Sequence, residues 1–169
     1  RWEYDKGIEL LAHIIEQAKE AHLRFRFHIV GQQFRHIPEA FEAIDRHLNE
    51  ISANFDMSRG NFGYIEDAEQ YQTLLASCHV ALSTAKHDFQ GLSVQQACLA
   101  GCQAAVPDAL AYPEYVPPQL RYQTRKDCWQ TAAAAVSLLK HIRRKLEDGA
   151  GSKIDLSAYL GPDLQNRNR

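Results

Sequence analysis

The chain has 169 residues, a formal net charge of -2 and 45% apolar residues, which suits one compact domain with a sizeable core and a tail. A near-neutral pI of about 6.5 lacks the basic footprint of a domain that grips nucleic acid unaided. No apolar run is long enough to cross a bilayer, and no signal peptide is legible, so neither a membrane span nor membrane binding is expected.

Arg1-Trp2-Glu3-Tyr4-Asp5-Lys6-Gly7 is a loop feeding a helix, and the first residue is not Met; the sequence is expected to be a piece of a longer protein. Ile8, Leu11, Ile14, Ile15 and Ala18 recur at helical spacing, which predicts a helix over Gly7–Ala21. Phe25–Val30 alternates as a strand and stops at Gly31. Pro38 opens a helix to about Ile51, with Phe41, Ile44, Leu48 and Ile51 on its apolar stripe and Pro early, where its missing N–H costs nothing. Asn61–Ile65 is a short strand. Asp67 caps a helix over Ala68–Ser77 that buries Tyr71, Leu74 and Leu75.

Val80–Thr84 is a continuous apolar strand of the kind found in the middle of a parallel sheet. A helix from Gly91 or Leu92 ends at Gly101. Cys102–Val106 is a strand ended by Pro107, and Asp108–Gln119 a Pro- and aromatic-rich loop with room for one helical turn. Arg121–Gln123 suits an edge strand. Lys126–Leu146 is a long helix with Trp129, Ala132, Ala133, Val136, Leu139 and Ile142 inward. From Gly149 onward the composition predicts a loosely held tail. Repeated βα units give the fold class: α/β, a Rossmann-like parallel sheet with helices on both faces.

Ligands of such sheets bind at the carboxyl ends of the strands, near a switch point. The turn Ser83–Gly91 lies at such an end. There an apolar strand meets a polar turn with a glycine and then a helix, so backbone N–H groups and a helix N-terminus converge on one spot suited to a phosphate or a sugar. Asp88 on the turn and Gln96 in the helix are placed to hold two parts of one extended ligand, although spacing alone fits a solvated turn and a surface glutamine better. Arg1 and Lys6 precede a helix and are either exposed surface cations or partners of a diphosphate at the strand ends. Gly31 permits close backbone approach or simply closes a turn. Gly63-Tyr64-Ile65 offers backbone groups to a nucleobase or is an ordinary strand end. Tyr112-Pro113-Glu114-Tyr115-Val116-Pro117 is a rigid loop that either lies on the surface or shapes the same cleft.

Other chemistry is poorly supported. Ser83 and Lys86 have the Ser-xx-Lys spacing of acylating hydrolases, but Ser83 ends a strand and the companion motifs are missing. There is no Walker A sequence, no GxGxxG and no HExxH. Cys78, Cys98, Cys102 and Cys128 form no CxxC pair and suit buried free thiols of a reducing compartment. Neither a metal nor a bound cofactor is expected.

Taken together these segments resemble the C-terminal, donor-binding domain of retaining GT-B glycosyltransferases (glycosyltransferase family 4-like). The order of motifs matches to about residue 147. Arg1–Lys6, Ser83–Phe89, Gly91 and Leu110-Ala111-Tyr112-Pro113-Glu114 bring it nearest to the branch that mannosylates queuosine in tRNA. The resemblance implies a nucleotide-sugar-binding domain over 1–148, a flexible tail over 149–169, and an N-terminal domain outside this chain that supplies much of the tRNA acceptor site. It further implies a cytoplasmic hexosyltransferase with GDP-mannose as donor substrate. Arg1 and Lys6 hold the diphosphate. Asp88 and the backbone of Phe89, Gln90, Gly91 and Leu92 hold the mannose, and Gln96 the ribose. Gly31, Tyr64 and Ile65 lie near the nucleotide, and Tyr112, Pro113 and Glu114 form a cleft loop. Related enzymes carry two glutamates at the positions of Asp88 and Gln96. The isolated piece is expected to bind nucleotide weakly and transfer little sugar. Two alternatives are another nucleotide-sugar transferase with a small-molecule, lipid or glycan acceptor, and a non-catalytic nucleotide-binding domain.

Overall fold

An apolar stripe on the first helix contributes to the larger core. In the computed structural model, which describes residues 4–32, 39–54, 58–150, 154 and 156, α1 spans Ile8–Glu20 and buries Ile8, Ile14, Ile15 and Ala18. It packs chiefly against α5, Cys128–Glu147. The inward face of α5 is made by Ala132, Ala135, Val136, Leu138, Leu139 and Ile142. This corrects the expected stripe: Ala133 is exposed and Trp129 is 40% exposed. Trp129 sits in the first turn of α5, where its ring meets His13 edge-on at 5.3 Å and its carbonyl accepts from Gln17 Nε2 at 2.9 Å.

β1, Arg26–Val30, pairs in parallel with β2, Ser58–Gly63. The second strand starts earlier than its apolar pattern suggests and stops at Gly63, leaving Tyr64 and Ile65 beyond it. Backbone pairing outweighs the polar Ser58-Arg59-Gly60-Asn61 sequence: Ser58 N donates to Phe25 O at 3.0 Å, and Arg59 pairs with Asp45. α2 covers Glu39–Asn54 and buries Phe41, Ile44 and Leu48; the expected first residue, Pro38, lies outside the described residues. α3 runs over Ala68–Ser77, as its cap predicts, with Asp67 Oδ1 accepting from Gln70 N at 2.8 Å. Leu74 and Leu75 are buried, whereas Tyr71 is only half-buried.

The second half repeats the unit. β3, Val80–Leu82, pairs with β4, Gln103–Pro107, which pairs with the two-residue β5, Arg121–Tyr122, all in parallel. Pro107 belongs to the strand: as its last residue it needs no N–H, and Asp108 N closes on Tyr122 O at 2.8 Å. α4, Leu92–Leu99, lies between β3 and β4 and packs on both. The loop after β4 forms two 3-10 turns, Tyr112–Glu114 and Pro118–Leu120, rather than one.

Both faces of this sheet are covered. Val80 and Leu82 pack on the large core under α1 and α5, while Ala81 packs on a smaller cluster of Leu75, Ala97 and Cys102 under α3 and α4. β4 is buried along its whole length, as a parallel strand between two helix layers should be. The fold is therefore the expected Rossmann-like α/β class. Among the described residues, however, the strands form two sheets, β1-β2 and β3-β4-β5, not one. Beyond Gly149, Leu156 is 3% exposed within the large core and Ile154 packs against it. No described helix is long and apolar enough to cross a membrane.

Candidate functional site

The turn between β3 and α4 is fastened from three sides. On the first, Thr84 Oγ1 donates to Lys6 O and Lys86 N to Asp5 O, each at 2.7 Å. These bonds hold the start of the chain beside the carboxyl end of β3. Gly7 makes the approach possible: it is left-handed at φ +65°, and a Cβ there would lie 1.9 Å from Thr84 O.

On the second side, the aromatic loop reaches in from beneath. Tyr112 is fully buried. Its hydroxyl is 2.7 Å from Ser83 Oγ and donates to Asp88 Oδ2 at 3.3 Å. A carboxylate only accepts, so the single Tyr112 proton goes to Asp88 and the Ser83 hydroxyl donates to Tyr112. Ala85 N in turn donates to Ser83 Oγ at 3.3 Å, making one chain of donors that ends on the carboxylate. Tyr122 Oη fixes the Ser83 carbonyl at 2.7 Å. Burial, with the Asp88 charge adding to it, pushes the Tyr112 phenol up to about 12, so it stays a neutral donor. The same loss of solvation raises Tyr115 and Tyr122.

On the third side the turn holds itself. Asp88 Oδ1 accepts from Gly91 N at 2.8 Å and more weakly from Gln90 N at 3.4 Å. Gln95, buried on α4, donates from Nε2 to Gln90 O at 2.8 Å. Gly91 is left-handed at φ +67°, with Tyr115 Oη 2.3 Å and Tyr112 Cε1 2.7 Å from where a Cβ would be. As the cap of α4 it offers no side-chain hydrogen bond. The cap of α1, Gly7, offers none either. Two helices thus begin beside this turn with first-turn N–H groups that no cap side chain satisfies.

Of the residues singled out from sequence, Lys6, Asp88, Phe89, Gln90, Gly91 and Leu92 belong to this turn or are tied to it. Lys6 Nζ is 3.5 Å from Asp5 Oδ2. Phe89 is 99% exposed and Leu92 60% exposed, so the tip stands free of the core. Gln96 is exposed on α4, one residue after the buried Gln95. Tyr112 supports the site from within, while Pro113 and Glu114 are exposed. Gly31 and Tyr64 lie at the carboxyl ends of the other sheet: Gly31 N donates to Gly63 O at 3.0 Å, Tyr64 is 58% exposed and Ile65 half-buried. Arg1 lies outside the described residues.

Gln95 and Tyr122 are supports that sequence reasoning passed over, while Ser83 and Tyr115, there only members of the turn and of the aromatic loop, reach Tyr112 and Gly91 respectively. A glutamine on the covered face of a helix is a signal for Gln95. The tyrosines announce themselves only through partners that are distant in the chain.

Among the described residues no group of three His, Cys, Asp or Glu side chains comes together as a metal site. The cysteines are free, and burial lifts Cys98 to about 12 and Cys102 to about 11, which keeps both as thiols. A cleft of about 980 Å³ runs beside the turn, between β1 and β3, and meets it only at Thr84.

No protein-family model matches the chain. Over 124 residues, 73% of its length, it is 36% identical to a Drosophila melanogaster protein, tRNA-queuosine alpha-mannosyltransferase. A stretch that long necessarily takes in the 83–91 turn and the Tyr112–Glu114 turn. The likeness is that of homologues. The chain spans 31% of that relative's length.

Proposed function

We propose that this chain is the donor-binding, C-terminal domain of a retaining GT-B glycosyltransferase that moves mannose from GDP-mannose to queuosine in a tRNA. The observation that carries this reading is the homology to tRNA-queuosine alpha-mannosyltransferase, across a segment whose 83–91 turn is built to present backbone N–H groups and one carboxylate. The enzyme is read as cytoplasmic, with the tRNA gripped mainly by parts outside this near-neutral chain.

In this reading the diphosphate lies against the N-terminus of α4, where unpaired N–H groups and the helix dipole favour negative charge. Lys6 and Arg1 add cationic charge. Among the described residues, Asp88 Oδ1 accepts from the Gly91 and Gln90 N–H groups and Oδ2 from the Tyr112 hydroxyl. A carboxylate has about four lone-pair sites, so Oδ2 keeps one for a mannose hydroxyl, beside the N–H groups of Phe89 and Leu92. Gln96 hydrogen-bonds the ribose diol through its amide, and Gly31, Tyr64 and Ile65 border the base.

The sugar–phosphate bond breaks with oxocarbenium character. The queuosine hydroxyl attacks from the face that the diphosphate leaves, and its proton passes to the departing phosphate oxygen. Configuration is retained without a protein nucleophile. The chain's contribution is electrostatic: each charged contact to the leaving group is worth about 3 kcal/mol of barrier.

Two measurements test this. The protein carrying this domain at its natural length, given GDP-mannose and queuosine-containing tRNA, should add one hexose to the tRNA by mass. Transfer only from another nucleotide sugar would overturn the donor, and no transfer from any would overturn the activity. For the domain itself, GDP should raise the melting temperature of the 169-residue chain more than UDP does, and Lys6→Ala should shrink the difference.

A further inference from the structure

β1 and β2 do not pair residue for residue. Arg26 lies opposite Ser58 and Phe27 opposite Arg59, but Ile29 lies opposite Phe62 and Val30 opposite Gly63. His28 of β1 therefore faces both Gly60 and Asn61 of β2. This is a β-bulge, a device rare between parallel strands and over-represented next to active sites, where it re-aims side chains. The side chains carry its mark. In a regular strand, residues three apart point to opposite faces. Here Arg59, which pairs with Asp45 of α2, also lies over the Phe62 ring, 5.1 Å from its centroid.

A bulge leaves a backbone N–H without a ladder partner, and a side chain closes this one. Asn61 N donates to His28 Nδ1 at 3.0 Å. The ring lies so close along β2 that a Cβ on Gly60 would be 2.6 Å from Nδ1 and Cε1. Glycine is the residue that fits opposite it. A ring nitrogen that accepts carries no proton, so the imidazole proton sits on Nε2. Burial first, and the Arg26 charge second, hold the His28 pKa below 6.5, against a side-chain hydrogen bond with Asn61 that raises it. The ring is thus neutral at pH 7 and able to accept.

The consequence appears at the carboxyl end of β2. The shifted register sets Gly63 opposite Val30 and lets Gly31 N reach Gly63 O at 3.0 Å. Drawn out into a regular ladder, β2 would set Phe62 opposite Val30 instead. Its end would advance by one residue, about 3.3 Å, and every later side chain would change face. Tyr64, 58% exposed, and half-buried Ile65 would exchange sides.

We infer that His28 is the positioning residue of the base-binding edge: its imidazole closes the bulge and so fixes the register in which β2 presents Tyr64 and Ile65 to the nucleobase. The inference rests on the reading of those two residues as the border of the base; the bulge and its closure do not.

The test uses the protein carrying this domain at its natural length. His28→Val and His28→Phe remove the acceptor. His28→Asn keeps one, because its side-chain oxygen is as many bonds from the backbone as Nδ1. Hydrogen exchange of the Asn61 and Gly31 amides should quicken about 10-fold in the first two variants and stay within about twofold of the natural rate in His28→Asn. The ratio of GDP to UDP affinity should fall about 5- to 10-fold in the first two and recover in His28→Asn. Affinity for inorganic pyrophosphate, which the 83–91 turn would hold, should change by less than about twofold. Deleting Asn61 from His28→Val removes the extra residue, so it should restore the fold, if that is lost, and the ratio. The inference is overturned if the Asn61 amide stays protected without the acceptor, or if the GDP preference survives while that amide exchanges fast. It is also overturned if pyrophosphate affinity falls in step with GDP affinity, or if neither His28→Asn nor the deletion restores what His28→Val loses. A natural protein that binds neither nucleotide, or both alike, overturns the functional reading instead, and the exchange and deletion arms still decide whether His28 sets the register.

Discussion

Gly91→Ala tests whether the aromatic loop clamps the turn. Two costs arise, and the structure separates them. The first is conformational: Gly91 sits at φ +67°, and an L-residue there loses about 1–2 kcal/mol. The second is steric. The new methyl would meet Tyr115 Oη at 2.3 Å and the Tyr112 ring at 2.7 Å. Tyr112 is fully buried and cannot swing away, so overpacking adds about 1–3 kcal/mol. Gly149 supplies the control, because its φ is +72° and nothing lies within 4 Å of its Cβ position. Gly149→Ala should therefore lose only the conformational share, about 1–2 kcal/mol, and Gly91→Ala about 2–5 kcal/mol. Urea unfolding of both variants measures the difference. Adding Tyr115→Phe to Gly91→Ala removes the nearer atom and should return part of the loss. Equal losses at the two glycines, within about 0.5 kcal/mol, would refute the clamp.

Asp88→Asn keeps an oxygen for the Gly91 N–H and should change stability by less than about 1 kcal/mol, while transfer by the natural-length protein falls about 100- to 1000-fold; unchanged turnover would make Asp88 a turn-former only. Gly7→Ala places a methyl against a backbone carbonyl, so amides at Lys86 and at the start of α1 should exchange faster. Stability should also fall at high pH: the Tyr112 phenol ionises near 10 when unfolded and near 12 when folded. The unfolded state then binds fewer protons between those values. The Tyr112 share of stability, present below pH 10, is lost up to pH 12 at no more than about 1.4 kcal/mol per pH unit, and Tyr115 and Tyr122, raised by burial too, add to the fall. Tyr112→Phe should flatten that part of the curve. Iodoacetamide at pH 8 should leave Cys98 and Cys102 unmodified until the chain unfolds, since only the thiolate reacts.

Much of this was legible along the chain because it depends on neighbours in sequence. Asp67 before an apolar period sets α3 at Ala68–Ser77, and the alternation of strand and helix sets the parallel class. The Ser83–Gly91 turn was legible as a strand-end site for the same reason, since a strand, a polar glycine turn and a helix adjoin there. Boundaries failed where pairing with a distant strand decided them, as at Ser58–Gly63, whose polar residues carry no strand pattern. Trp129 failed because a helical period does not say where the neighbouring layer ends.

What the tertiary structure alone decided concerns partners far apart in the chain. The proton of Tyr112 reaches Asp88 across 24 residues and its oxygen meets Ser83 across 29; no local pattern encodes that meeting, because buried tyrosines are placed by packing and then find hydrogen bonds. Gln95 rather than Gln96 turns inward because its amide finds the Gln90 carbonyl. The cleft between β1 and β3 is likewise invisible in sequence, because it is set by how the β1-β2 and β3-β4-β5 sheets are placed and not by any local pattern.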